Sequence, residues 1–261
     1  MVKRKLRNNI KKITVIIQAR VDSKRLPKKV LRRILNKPML WYVLKRVKKI
    51  KNIDQVILAT TNEKQDNILV DLAKKNRIFI FRGSSMDVLD RYYKCAIKYN
   101  ADPIIRITSD CPLIDPFIVE NILDFYLKND FDYVSNTIKP TYPDGLDVEI
   151  FSFKTLELAA KNAKMKSERE HVTPYIKNNP KKFNLFNYRN NEDLSSHRWT
   201  IDQKEDLFFV RKIYSKMKPS VVFRYQEILE LLSRFPDLLK INQGIKRNEG
   251  YKKSLESDDV F

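Results

Sequence analysis

Strand-length apolar runs recur along the first half of the chain, each pair separated by enough residues for one helix. They are ITVII (13–17), QVILAT (55–60), IFIF (78–81), PIIRIT (103–108) and DYVSN (132–136). Between them lie stretches such as MLWYVLKRVKKI (39–50) and DVLDRYYKCAIKYN (87–100), whose apolar positions return every three or four residues. Parallel strands need a crossover of about a dozen residues, usually a helix, so this alternation predicts an α/β fold: a mostly parallel sheet with helices on both faces. Ligands of such sheets bind beyond the carboxyl ends of the strands. The segments that directly follow strands one, two and four are therefore where chemistry is expected.

After residue 137 the rhythm changes. TIKPTYPDGLDVEIF places a turn at Pro143-Asp144-Gly145 before a short strand, and helical stretches follow at 152–164 and 168–178. KFNLFNY (182–188) reads as a further strand and HRWTID (197–202) as a short one that ends at Asp202. With no repeat and no Gly/Ser-rich tether, the simplest organisation is a basic tail (1–12) followed by one domain (13–261) carrying an insertion near 137–198.

Charge and composition narrow the class. The net charge is +20, yet the lysines are scattered as pairs along the whole chain, as a compositional bias would leave them, so no nucleic-acid partner is expected. Two cysteines, Cys95 and Cys111, exclude a disulfide framework and fit a reducing compartment. The N-terminus is basic, but the apolar run behind it falls short of the roughly 7 to 15 residues of a signal peptide, and no run of about 18 apolar residues crosses a membrane. A soluble, cytoplasmic protein is the expectation.

The loop after strand one, Gln18 to Lys29, carries Arg20, Lys24, Arg25, Lys28 and Lys29. Guanidinium and ammonium groups neutralise phosphate oxygens, so the position suits a triphosphate. A solvated turn would carry the same charges, and the loop alone does not decide. After strand four, RITSDCPLID puts Asp110 just past the strand, where a carboxylate can hold Mg²⁺ against phosphates; Asp115-Pro116 reads as the cap and first residue of the next helix. In WTIDQKEDL, Asp202 stands at a second strand end and could share that metal, although taken alone it reads better as a helix cap. Ser167 and Glu170 have the spacing of a capping box opening the 168–178 helix, and His197 reads as structural.

QARVDSKRLPKKVL, RGSSMDVLDRYY, RITSDCPLID, YPDGLDVEIFSFKTLELA, SEREHVTPYI, RWTIDQKEDL and RNEGYKKSL together resemble, in order from about residue 13 to 255, the cytidylyltransferase family of spore-coat polysaccharide biosynthesis protein F. That family is in turn similar to the CMP-sugar synthetases for sialic acid and Kdo. The resemblance implies a Rossmann-like, GT-A-like nucleotidyltransferase that uses CTP and Mg²⁺. An acceptor oxygen attacks the α-phosphorus and pyrophosphate leaves. It implies Arg20 and Lys29 as catalytic; Arg20, Ser23, Arg25 and Lys29 on the phosphates; Thr60, Thr108 and Arg91 near base or ribose; and Asp110 and Asp202 on the metal. Asp144, Asp147, Glu149, Arg169 and His171 would meet the acceptor, a sugar, sugar acid or small phosphorylated compound used in surface polysaccharide assembly. A homodimer through the insertion is also implied, with Phe183, Leu185 and Phe186 belonging either to its face or to the core. The family's first loop usually has glycine where this chain has Asp22 and Lys28, and often where it has Ser109; glycine there permits positive φ and close backbone approach. An inactive relative, a basic nucleic-acid-binding protein or a glycosyltransferase are the rival readings. The last would need an Asp-x-Asp after a strand, whereas Asp130 and Asp132 precede one.

Overall fold

Val15, Ile16 and Ile17 are fully buried in the first strand, β1 (Lys12–Gln18), as a strand covered on both faces requires. In the computed structural model, which describes residues 11–23 and 25–261, β1 leads through a small ribbon, β2 (Arg33–Ile34) and β3 (Lys37–Pro38), into α1 (Met39–Val47). Then come β4 (Gln55–Thr61), α2 (Asn67–Lys75), β5 (Phe79–Gly83), α3 (Val88–Tyr99), β6 (Ala101–Thr108) and α4 (Pro116–Lys128). The second half adds β7 (Tyr133–Ser135), β8 (Glu149–Phe151), α5 (Phe153–Asn162), α6 (Lys166–His171), α7 (Pro174–Lys177) and β9 (Leu185–Asn187). It closes with α8 (Lys204–Lys216), α9 (Tyr225–Arg234) and α10 (Glu249–Glu256). Most of the expected basic tail lies outside the described residues. Among the described residues, no helix is long and apolar enough to cross a membrane.

The seven-stranded sheet has the order β5-β4-β1-β6-β8-β7-β9. β5, β4, β1 and β6 are mutually parallel, β8 runs antiparallel to β6 and β7, and β9 is parallel to β7. Alternate strand residues point to opposite faces and build two cores. Val15, Ile17, Leu58, Ile105 and Ile107 pack with α1, α2, α4, α8 and α9, while Ile16, Ile57, Ala59 and Ile104 pack with α3, α5 and α7. Each such Val, Leu or Ile side chain stabilises the fold by roughly 1.5–3 kcal/mol. From β1 the chain winds to β4 and β5 on one side; β6 then returns on the other. Gln18 and Thr108 therefore sit side by side at the carboxyl ends flanking this switch point, where a crevice opens.

Helix starts follow the expected chemistry at α4, where Asp115 accepts from the Phe117 amide and Pro116 is the first helical residue. Elsewhere the structure corrects the sequence. The 168–178 stretch is two short helices broken at Val172, whose φ is 74°. Its first turn is capped by Glu168, which accepts from the amides of Lys164 and Met165, while Ser167 lies inside α6 and bonds Asp258; Ser167 and Glu170 form no capping box. HRWTID is an extended connection rather than a strand, tied by an isolated bridge between Asp144 and Arg198. Phe183 is buried and belongs to the core, while Leu185 and Phe186 are half-buried and pack against the two cores from the sheet's edge.

The Pro143-Asp144-Gly145 turn seats that connection. Gly145 has φ +107°, and a Cβ there would lie 2.6 Å from the Thr200 amide nitrogen and 2.7 Å from the Trp199 carbonyl carbon. Gly145→Ala is expected to destabilise the protein by at least about 2 kcal/mol, through backbone strain and this collision together. The check is a thermal unfolding midpoint, expected to fall by about 5 °C or more.

Candidate active site

A cavity of about 1020 Å³ opens past the ends of β1 and β6. Its first wall is the loop after β1. Buried Asp66 fixes the loop's start, accepting from the Val21 amide at 2.8 Å and from the hydroxyls of Thr60 and Thr61 at the end of β4. Lys28 then takes a left-handed conformation, φ 56° and ψ 34°, and a single 3₁₀ turn at Lys29–Leu31 buries Val30. Of the three positions where the resemblance implies glycine, Lys28 alone has positive φ; Asp22 and Ser109 do not.

This turn carries the Lys29 ammonium into the crevice. Its Nζ lies 2.8 Å from Asp110 Oδ2, 2.8 Å from Asp202 Oδ1 and 3.3 Å from the Ile201 carbonyl oxygen. Arg25 Nη2 donates to the same Asp202 oxygen at 2.7 Å. The two carboxylates meet because the connection before α8 is laced to the turn after β6: the Ile201 amide and the Thr200 hydroxyl both donate to the Asp110 carbonyl. Burial pushes the Asp110 carboxyl upward, but the charge and hydrogen bond of Lys29 outweigh it and hold Asp110 well below the usual carboxylate range.

Asp202 does not cap α8. The cap is Asp206, fully buried, whose Oδ2 accepts from the amides of Asp202 and Gln203. Arg198 grips Asp206 through Nε and Nη2, at 2.9 and 3.0 Å, reaches Asp144 at 3.0 Å and lies 3.5 Å from Asp202 Oδ2. The Asp202 side chain is thereby left facing the cavity.

Farther along the cavity, Glu149 accepts from Arg106, Tyr133 and Thr173, with Lys177 Nζ 3.7 Å away. Asp147 pairs with Arg247. Asp144 is pushed up to about 7, first by burial and then by neighbouring Asp147, against the pull of Arg247 and Arg198. His171 is lowered to about 4, chiefly by burial, and its Nε2 lies 3.0 Å from the Ser254 hydroxyl.

Among the other expected site residues, Arg20, Ser23, Arg91 and Thr108 line the cavity. Arg91 is no solvated helix residue: it is fully buried, with Nη1 donating to the Ser84 carbonyl. Two residues are not brought in. Thr60 is buried under the wall on Asp66, and Arg169 is spent on Asp87 and the Ala160 carbonyl.

A family model described as cytidylyltransferase matches residues 14–249. The chain belongs to the cytidylyltransferase family. It is 40% identical over 252 residues to an uncharacterized protein of Methanocaldococcus jannaschii, covering 94% of this chain and 100% of that one. It is 32% identical to the spore coat polysaccharide biosynthesis protein SpsF of Bacillus subtilis, over 86% of this chain and 95% of the relative. The structure of a cytidylyltransferase from Leptospira borgpetersenii superposes with a TM-score of 0.86 at 36% identity, covering 91% of this chain and all of the other. A CMP:2-keto-3-deoxy-manno-octonic acid synthetase complexed with CTP shares the fold, with a TM-score of 0.63 at 17% identity over 78% of this chain and 99% of that one. The protein is thus a nucleotidyltransferase of the Rossmann-like fold.

The cavity of this cytidylyltransferase is also lined by residues to which the sequence assigns no role. Arg106 is a lone charge inside the apolar run PIIRIT. Arg247, Gly250, Tyr251 and Ser254 come from RNEGYKKSL, whose spacing points to no chemistry, and they line the same cavity. Tyr251 packs edge-on to the His171 ring, 5.1 Å between centroids.

Two expectations follow from these contacts. Lys28→Gly should raise stability by about 1 kcal/mol, because a left-handed conformation strains any residue with a Cβ; denaturant unfolding reads it. Burial opposes ionisation of Glu149, but Arg106 and Lys177 prevail and bring its carboxyl down to about 2 from 4.5. A depressed carboxyl contributes stability that is complete above the ordinary value and lost as pH falls toward the folded one. Glu149→Gln should therefore cost about 3 kcal/mol at neutral pH by leaving Arg106 buried without its counter-charge. The variant's unfolding midpoint, measured from pH 6 to pH 3, should fall less steeply than that of the wild type.

Proposed function

We propose that this cytidylyltransferase transfers CMP from CTP to a small acceptor bearing a carboxylate or phosphate, with Mg²⁺ as cofactor and pyrophosphate as the leaving group. The observation that carries the reading is the convergence of Lys29 and Arg25 with Asp110 and Asp202 at the switch point of the sheet. One cationic group already sits between two carboxylates there, so the donor set fits Mg²⁺, which takes one or two protein carboxylates and leaves its other positions to water and phosphate. Asp110 and Asp202 would hold the ion, and when bound it supplies charge neutralisation and polarisation at the phosphates.

The chain's own residues do the rest. Arg20, Arg25 and Lys29 reach the phosphate oxygens from the loop, and Ser23 stands on the same wall. An acceptor oxygen held in line attacks the α-phosphorus, the bond to the β-phosphate oxygen breaks, and that oxygen departs with pyrophosphate. Positioning and charge neutralisation account for the acceleration. Arg91 and Thr108, beside the ends of β1 and β6, are the candidates for base and ribose contact.

The acceptor's charge is inferred from the cations along the cavity. Arg106 and Lys177 lie beside Glu149, whose oxygens are already occupied by Arg106, Tyr133 and Thr173, so Glu149 serves to hold cations rather than to bind a hydroxyl. Asp147 is held by Arg247, and Lys177, half-buried on the cavity wall, is the cation an acceptor anion would meet. Asp144, with its raised carboxyl, and neutral His171 are suited to hydroxyl groups. By likeness to the spore coat polysaccharide relative, the product would feed surface polysaccharide assembly. A glycosyltransferase reading loses support because Asp132 is engaged with Asn184, away from the cavity.

Calorimetric titration of CTP, UTP, GTP and ATP with Mg²⁺, at two salt concentrations, tests the proposal. Selective CTP binding is expected, with its Mg²⁺-dependent part weakened at least tenfold in Asp110→Asn. Nucleotide-indifferent binding that merely fades with salt would instead indicate a generic polyanion site.

A further inference from the structure

Lys29 Nζ occupies a cage of three oxygens, Asp110 Oδ2 and Asp202 Oδ1 at 2.8 Å each and the Ile201 carbonyl at 3.3 Å. These are the atoms a divalent cation would need. We infer that Lys29 stands in for the divalent cation while no nucleotide is bound, so that the metal enters this site together with the triphosphate rather than ahead of it. The inference rests on the reading of Asp110 and Asp202 as the metal's carboxylates.

The ion pairs support it. Lys29 and Arg25 face Asp110 and Asp202, two cations against two anions, while Arg198 beneath them spans Asp206 and Asp144, and Arg247 spans Asp144 and Asp147. A bare dication approaching Asp110 and Asp202 meets two carboxylates whose charge is already offset by two cations and must compete with both groups on Asp202 Oδ1. The cluster is also sheltered, with side-chain exposures of 14% for Lys29 and 13% for Asp202, so solvent screens the competition poorly.

A triphosphate changes the balance. Its oxygens offer Lys29 and Arg25 a second anionic partner on the open side of the cavity. The flexible stem of Lys29 lets its ammonium leave the carboxylates without moving the backbone turn. Once it leaves, the two carboxylates carry uncompensated charge and the metal's affinity rises. Such coupling is reciprocal: metal must tighten nucleotide binding by the same factor that nucleotide tightens metal binding. Arg25 cannot replace Lys29 in the cage, because it contacts Asp202 alone.

The test uses the full chain and Mn²⁺ as the probe, with free hexaaqua Mn²⁺ quantified by electron paramagnetic resonance. Without nucleotide, wild type is expected to bind Mn²⁺ weakly, and Lys29→Met to bind it at least tenfold more tightly. Lys29→Arg, which keeps the charge, should stay within a few-fold of wild type. Adding CTP should tighten Mn²⁺ binding in wild type by much more than in Lys29→Met. Removing Asp110 as well, in Lys29→Met with Asp110→Asn, should abolish the gain.

An Mn²⁺ affinity in Lys29→Met no higher than wild type, in protein that still unfolds cooperatively, overturns the inference; Lys29→Gln provides the same comparison should the methionine variant misfold. A gain that survives Asp110→Asn overturns it too, since the ion would then sit elsewhere. The two readings fail separately. Selective CTP binding with no gain in Lys29→Met sinks this inference alone, whereas a gain without nucleotide preference sinks the proposed function and leaves the carboxylate cage standing.

Discussion

Two carboxylates from segments far apart in the chain, Asp110 after β6 and Asp202 before α8, are held side by side in a sheltered crevice. Left to themselves they would repel, and burial would drive a proton onto one of them. The charge and hydrogen bond of Lys29 hold the Asp110 carboxyl well below the usual carboxylate range. Lys29 and Arg25 come from the loop after β1 and Arg198 from beneath, so three separate stretches of chain are tied at one point. The sheet's winding makes this possible, because β1 and β6 are neighbours whose chain connections lead away in opposite directions. Without that divergence their carboxyl ends would be covered by a crossover, and no loop could reach across.

Arg198 shows how such a point is made rigid. Its guanidinium spans Asp206, which caps α8, and Asp144, which belongs to the turn at Gly145. Helix cap, turn and carboxylate are thus fixed by one planar group. A lysine ammonium, lacking the planar fork, could not grip both oxygens of Asp206 through parallel hydrogen bonds and reach Asp144 at the same time.

Most of the strand–helix alternation was legible because it is periodic, and the β1 loop and Asp110 because they stand at strand ends. The cap of α8 was misread for a local reason: Asp202 and Asp206 both lie where a capping carboxylate can, and only tertiary contacts decide that Asp206 turns inward while Asp202 faces the cavity. Thr60 and Arg169 have the right chemistry and the wrong direction. The hydroxyl of Thr60 meets Asp66 beneath the wall, and the guanidinium of Arg169 meets Asp87. Arg106 shows the converse: an apolar strand gives it no evident role, yet two residues from the strand's end its long side chain reaches the cavity beside Glu149. Contacts of the α10 residues with α6, such as His171 with Tyr251 and Ser254, join positions more than 75 residues apart, and no local pattern encodes them.

The basic first loop can be understood on the same terms. Lys28 holds a left-handed conformation that glycine would adopt without strain, and the strain is tolerated because the turn it begins buries Val30 and delivers Lys29 to the crevice. What the turn requires is the backbone conformation, since the Lys28 side chain is exposed and takes no part in the carboxylate cluster. Asp22, at another position where the resemblance implies glycine, has no positive φ and lies on the rim with its carboxylate exposed. The two substitutions therefore act on different links of the chain of cause: Lys28 on the stability of the loop, and Asp22 on the field that an incoming polyanion meets at the entrance. A loop whose backbone is set by packing and whose rim charge is free to vary can retain its geometry while its electrostatics drift.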